Sequence, residues 1–128
     1  MSINSVNGAN GNQYDKNEIR DVMLKDSAEV TEIVDEDGRH IDIFDPETNT
    51  LHTLVDLDND GTIDAYRKQI RNSNNNSLEV LDDVDFDGTF DKKLDGKNMG
   101  DGNYTCAIDY DNDGNIDEYK YMTDDLKF

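Results

Sequence analysis

Leu78-Glu79-Val80-Leu81-Asp82-Asp83-Val84-Asp85-Phe86-Asp87-Gly88-Thr89-Phe90-Asp91 is the stretch on which the chain's fold turns. Leu78 and Val80 alternate with Glu79 before Leu81, the period of a half-buried strand. Aspartates then alternate at 83, 85 and 87, a glycine follows, an apolar residue stands two places after it, and Asp91 closes the phrase. The same phrase is written at Asp56, Asp58, Asp60, Gly61, Ile63 and Asp64, and at Asp109, Asp111, Asp113, Gly114, Ile116 and Asp117. A glycine in such a loop allows a sharp turn where a Cβ would clash. Apolar, β-branched and tyrosine residues flank each loop with a period near two, so each unit reads as strand, loop, strand.

Working outward, Gly38, Gly61, Gly88 and Gly114 are separated by 23, 27 and 26 residues, a period that signals repeated supersecondary units. Residues 51–55 and 63–70 flank one loop, 78–81 and 90–94 the next, 104–108 and 116–121 the last. The first unit is degenerate. Ile33 and Ile41 replace its outer aspartates, and it reads as an ordinary hairpin closed at Asp37-Gly38. Turns are expected at residues 45–49, around the lone Pro46, at the polar run 72–77, and at the glycine-rich run 95–102. Ile19, Val22 and Met23 fall at helical spacing after Asp15, a candidate N-cap with Glu18 three places on, so a short N-terminal helix is one reading beside strand or coil. The fold class expected is all-β: tandem β-hairpins, as a meander or stacked sheet, with calcium loops at the hairpin tips. Residues 1–14, rich in Asn, Gly and Ser, are expected to form a flexible tail, and residues 15–128 a single calcium-binding β-repeat domain.

The chemistry lies in the loops. Calcium takes six to eight oxygen ligands, and alternating carboxylates in a tight loop converge on one point to supply them. Counted from its first aspartate, each loop offers side chains at positions one, three, five and nine and a backbone carbonyl at position seven. The candidate ligands are Asp56, Asp58, Asp60, Thr62 and Asp64; Asp83, Asp85, Asp87, Thr89 and Asp91; and Asp109, Asp111, Asp113, Asn115 and Asp117. The apolar residue at position eight (Ile63, Phe90, Ile116) is expected to anchor the loop to the core.

Through its first nine positions the phrase resembles the EF-hand loop. The EF-hand ends on a bidentate Glu at position twelve, where this chain has Arg67, Leu94 and Lys120. The strand-flanked form with Asp at position nine is similar to the calcium loops of integrin-type FG-GAP repeats and of bacterial calcium-binding β-hairpin repeats. Thrombospondin type 3 repeats share the aspartate spacing but carry disulfides, which one cysteine cannot form. The resemblance covers residues 50–122 and implies a calcium loop; the chain is too short for a whole propeller. It implies about three bound calcium ions. Without the bidentate Glu, affinities of about 10⁻⁵ to 10⁻³ M are expected.

Composition narrows the function. The net charge is −19, from 31 acidic and 12 basic residues, which argues against nucleic acid as a partner. Of the acids 24 are Asp and only 7 Glu, a bias that favours metal loops over a generic acidic surface. Cys106 stands in an alternating stretch and reads as a buried structural thiol. No apolar run reaches the ~20 residues of a membrane span, and the start lacks the features of a secretory signal. His40 and His52 stand alone, and no nucleophile, phosphate-loop or zinc spacing appears, so no enzyme is expected. The leading expectation is a non-enzymatic, calcium-stabilised structural or interaction module, extracellular or on a cell surface, with a protein or surface-glycan partner. The alternative is an acidic decoy that imitates nucleic-acid phosphates and occupies a basic site on another protein. That reading explains the charge but not the spacing.

Overall fold

The computed structural model describes residues 12–100 and 103–123. Eight strands form one antiparallel sheet in sequence order, a pure meander. They are β1 (Glu29–Asp35), β2 (Gly38–Asp45), β3 (Thr50–Asp56), β4 (Ala65–Asn72), β5 (Ser77–Asp83), β6 (Lys92–Asn98), β7 (Asn103–Asp109) and β8 (Glu118–Thr123). Among the described residues one helix, α1 (Asn17–Met23), precedes them. The expected all-β architecture of hairpins therefore holds, as the meander rather than the stack.

Register places the two core clusters on opposite faces. Ile41, Leu54 and Tyr66 lie opposite one another across β2, β3 and β4, and so share a face with Ile43. Ile19 and Val22 of α1 cover this face, packing with Ile43, Tyr66 and Phe90. The α1 pattern was thus half right: Ile19 and Val22 are buried, but Met23 is 42% exposed. Asp15 is not the N-cap. Lys16 occupies that place without a side-chain cap, while Asp15 accepts a hydrogen bond from the Asn17 backbone N–H and Glu18 reaches Lys68. The other face of β5, β6 and β7 gathers Leu78, Val80, Leu94, Tyr104, Cys106 and Ile108. Cys106 is fully buried there, as expected, and burial pushes its thiol pKa up.

A buried ion pair sits beside this second cluster. Arg67 grips Asp82 with two hydrogen bonds, Nε to Oδ1 at 2.7 Å and Nη2 to Oδ2 at 3.0 Å, and Lys92 lies 3.3 Å from the same carboxylate. The planar guanidinium satisfies both oxygens, which is what lets this charge be buried. Substituting Arg67 or Asp82 alone is expected to cost about 3–5 kcal/mol.

Three boundaries differ from the sequence reading. Residues 95–98 belong to β6 and not to a turn, because Gly96 pairs with Leu78 on one side and Cys106 on the other. A Cβ on Gly96 would meet Cys106 Sγ at 3.4 Å, so the glycine here serves close side-chain packing. Ile63, Phe90 and Ile116 stand in the loops, and the outgoing strands start later, at Ala65, Lys92 and Glu118. The first hairpin turns at Glu36-Asp37, with Gly38 already paired to Asp35. Gly38 has φ +113°, and a Cβ there would lie 2.4 Å from the Asp56 carbonyl oxygen, so the site demands glycine twice over.

Of the tail expected over residues 1–14, residues 1–11 lie outside the described residues, while Asn12, Gln13 and Tyr14 are tied into the domain. Gln13 bridges Thr89, Tyr14 N–H donates to the Gly88 carbonyl, and Phe90 N–H donates to that of Asn12. Tyr14 stacks on Phe90 at 4.5 Å between ring centres and tilts against Tyr66 at 5.1 Å.

Candidate metal centre

Because the strands alternate in direction, the connections β3–β4, β5–β6 and β7–β8 all emerge at one end of the sheet. These are the three aspartate loops, and one set of hydrogen bonds builds all of them. The position-one carboxylate accepts from the backbone N–H of position five (3.1, 3.2 and 3.2 Å) and of the glycine (2.8, 2.9 and 2.8 Å). The position-five carboxylate accepts from the N–H of position seven at 2.9–3.0 Å. The position-nine carboxylate reaches back to the N–H of position two, also at 2.9–3.0 Å. Position four is left-handed in every loop: Asn59 at φ 56°, Phe86 at 55° and Asn112 at 54°. The glycines follow at φ 91°, 93° and 94°, a region costly for any residue with a Cβ.

This wrapping turns the carboxylates inward. Oxygens of Asp56, Asp58, Asp60 and Asp64 lie within 4.8 Å of one another, as do those of Asp83, Asp85, Asp87 and Asp91. In the third loop Asp109, Asp111 and Asp117 form the group within 4.8 Å, and Asp113 stands outside it. The position-one aspartates are buried, and positions three and five are exposed. These groups of oxygens could hold metal ions. Thr62, Thr89 and Asn115 stand at position seven, each with its N–H turned to the preceding aspartate. Asp35 and Asp37 of the degenerate unit belong to none of the groups. Position twelve contributes nothing in the first loop, where Arg67 is committed to Asp82.

The electrostatics divide within each loop. Burial pushes Asp56, Asp83 and Asp109 up, but the hydrogen bonds they accept outweigh it and hold them below the ordinary carboxylate range. Backbone N–H donors do most of this at Asp56 and Asp109; at Asp83 the Tyr14 hydroxyl leads. Position three moves the other way. Asp58 is raised by the loss of water from its loop-facing side and then by its carboxylate neighbours, while Asp111 is raised first by its hydrogen bond to Asp109. Asp85 is pushed up to about 6, first by its hydrogen bond to Asp83. The carboxylates of each loop thus crowd one another, and a bound cation would relieve that repulsion.

Two features escaped the sequence. Tyr14 donates its hydroxyl to Asp83 Oδ2 at 2.7 Å, tying the N-terminal segment to the second loop; burial, ahead of this bond, raises its pKa. Only its isolation in a polar stretch could have marked it. The anchoring expected of position eight holds for Phe90, 5% exposed, but not for Ile116, 43% exposed. Among the described residues no helix or N-terminal strand covers the third loop to receive Ile116; Asn12 Nδ2 donates to its Asn112 carbonyl.

No known protein family, curated protein or solved structure matches the chain.

Proposed function

We propose that the protein is a non-enzymatic calcium-binding module in which three Asp-x-Asp-x-Asp-Gly-x-x-Asp loops load Ca²⁺ and brace a β-meander for interaction with a partner. The observation that carries this reading is the threefold recurrence of the loop's backbone geometry: the same bonds, a left-handed residue at the same position and a glycine two places on. Oxygen-only donors suit a hard cation, and an irregular set of carboxylates suits calcium better than the stricter octahedron of magnesium. An extracellular or cell-surface setting, where calcium is abundant, fits sites with affinities of about 10⁻⁵ to 10⁻³ M. Among the described residues no helix is long and apolar enough to cross a membrane.

Loading three sites adds six positive charges and takes the formal net charge from −19 to −13. At calcium a hundredfold above Kd, each site stabilises the fold by about 2.7 kcal/mol. Thermal unfolding with calcium, with magnesium and with a chelator tests the reading. A calcium-specific rise in Tm, with about three ions per chain by titration calorimetry, supports it. No rise with calcium overturns it and leaves the acidic-decoy reading, to be tried against basic nucleic-acid-binding proteins.

A further inference from the structure

Between α1 and the strands β2, β3 and β4 lies an open cleft of about 560 Å³, a size typical of small-molecule sites. His52 lines it, set by register between Ile43 and Lys68 on the face that α1 covers. Two ion pairs bridge the helical segment to the sheet beside it. Lys25 Nζ reaches Asp45 Oδ2 at 2.8 Å, and Lys68 Nζ reaches Glu18 Oε1 at 3.1 Å.

His52 is 2% exposed, and its Nδ1 pairs with the Tyr66 hydroxyl at 2.5 Å. That hydroxyl is itself buried and has no other partner among the described residues, so its proton goes to Nδ1. Burial keeps the imidazole neutral, and the ring's own proton then stands on Nε2. Nε2–H has no acceptor among the described residues. A buried donor left in this way is open to an oxygen brought by a ligand. The lysines add to it. Lys68 bonds Glu18, and Lys25 bonds Asp45 and Glu47, so each ammonium keeps an N–H to spare. A carboxylate is the group that can use an imidazole N–H and ammonium donors together. On the helical rim the exposed carboxylates of Asp15 and Asp21 line the same cleft, and these suit an ammonium. Val22 and Ile70 supply apolar lining.

We propose that this cleft binds a small aliphatic zwitterion, a free amino acid or short peptide, with its carboxylate on His52 Nε2–H and the lysines and its ammonium on Asp15 and Asp21. The charges lining the cleft favour a zwitterion over either half of it. Among the described residues four acids and two lysines line it, so a bare anion meets repulsion, while a bare cation leaves the imidazole donor unused. The assignment draws on α1 and the adjoining strands alone and stands whether or not the loops bind calcium.

The test is an NMR titration of the full chain in calcium-containing buffer with L-leucine and with leucyl-leucine. Isocaproate, which lacks the ammonium, and isopentylamine, which lacks the carboxylate, are the comparators. The zwitterions are expected to bind in the millimolar range or tighter, shifting the His52 ring and the amides of α1 and leaving the aspartate loops unmoved. Each comparator is expected to bind about tenfold more weakly or worse. Tighter binding of one zwitterion than of the other tells peptide from free amino acid, and either result supports the cleft. Asp15→Asn and Asp21→Asn are exposed exchanges that keep an acceptor oxygen in place; each is expected to weaken leucine about two- to fivefold and to leave isocaproate unchanged. Unmoved amides of β7 establish that each variant is folded, and either variant alone suffices. A comparator that binds as well as leucine, no zwitterion shift at His52, or undiminished leucine binding by a folded variant would overturn the assignment.

Discussion

Asp85 has opposite consequences in an empty loop and a filled one. Its carboxyl is pushed up to about 6 in the folded chain, while an unfolded aspartate titrates near 3.9. The folded, metal-free protein therefore holds a proton that the unfolded chain releases between about pH 4 and 6. The stability this group contributes is fully present below about pH 4 and is lost as pH rises through about 6. Asp85→Asn should make the metal-free protein more stable at neutral pH, and with calcium less stable, because one ligand is gone. Urea midpoints in chelator and in calcium read both signs; a variant weaker in both conditions would refute the repulsion. His52 supplies the contrary slope. Burial, and after it Lys68, lowers the imidazole pKa, and its Nδ1 is paired with the Tyr66 hydroxyl at 2.5 Å. The unfolded chain takes up a proton near pH 6.5 that the folded chain refuses, so this contribution is present above about pH 6.5 and lost as pH falls below it. His52→Gln should flatten the fall in urea midpoint between about pH 7.5 and 5.5.

Among the elements, the segment around Tyr14 has the most to say about how the loops are held. It joins loop to loop: Asn12 Nδ2 donates to the Asn112 carbonyl, Phe90 N–H to the Asn12 carbonyl, and the Tyr14 hydroxyl to Asp83. Tyr14→Phe keeps the ring in its aromatic stack and removes only the bond to a carboxylate. A loss of about 1.5–3 kcal/mol is expected, with calcium affinity falling at the second loop and not at the first. Site-resolved titration by NMR checks this. The sequence did not expose Tyr14 because a single tyrosine in a polar run has no period, and its partner lies 69 residues away. The hairpins were legible because alternation and loop spacing repeat. Strand ends were not, since Ile63 and Phe90 look like strand residues until the loop's own hydrogen bonds claim them. Gly96 was misread for a related reason: glycine signals a turn locally, whereas here it yields space to Cys106 across the ladder.

At the scale of the molecule, no strand among the described residues pairs with the outer edge of β1 or of β8. Every residue of β1 is exposed, Val30, Ile33 and Val34 included, and Tyr119 and Tyr121 of β8 are 73% and 76% exposed. Acidic side chains on β1, Glu29, Glu32 and Asp35, discourage two such edges from pairing with each other. The order of strands could be anticipated from the repeat, because consecutive hairpins with short turns have no simpler arrangement than side by side.

The meander also acts as a ruler. Strands lie about 4.8 Å apart, so tips borne on every second connection fall roughly 10 Å from one another. Asn112 of the third loop already bonds the Phe90 carbonyl of the second. Divalent ions held in such a file repel their neighbours by about 1.7 kcal/mol in unscreened water, and by roughly a third of that at physiological ionic strength. Filling should therefore be anticooperative, the last ion entering several-fold more weakly than the first. Stepwise constants from calorimetry should spread apart at low salt and close up at high salt. Loops that act independently would keep the same ratios throughout.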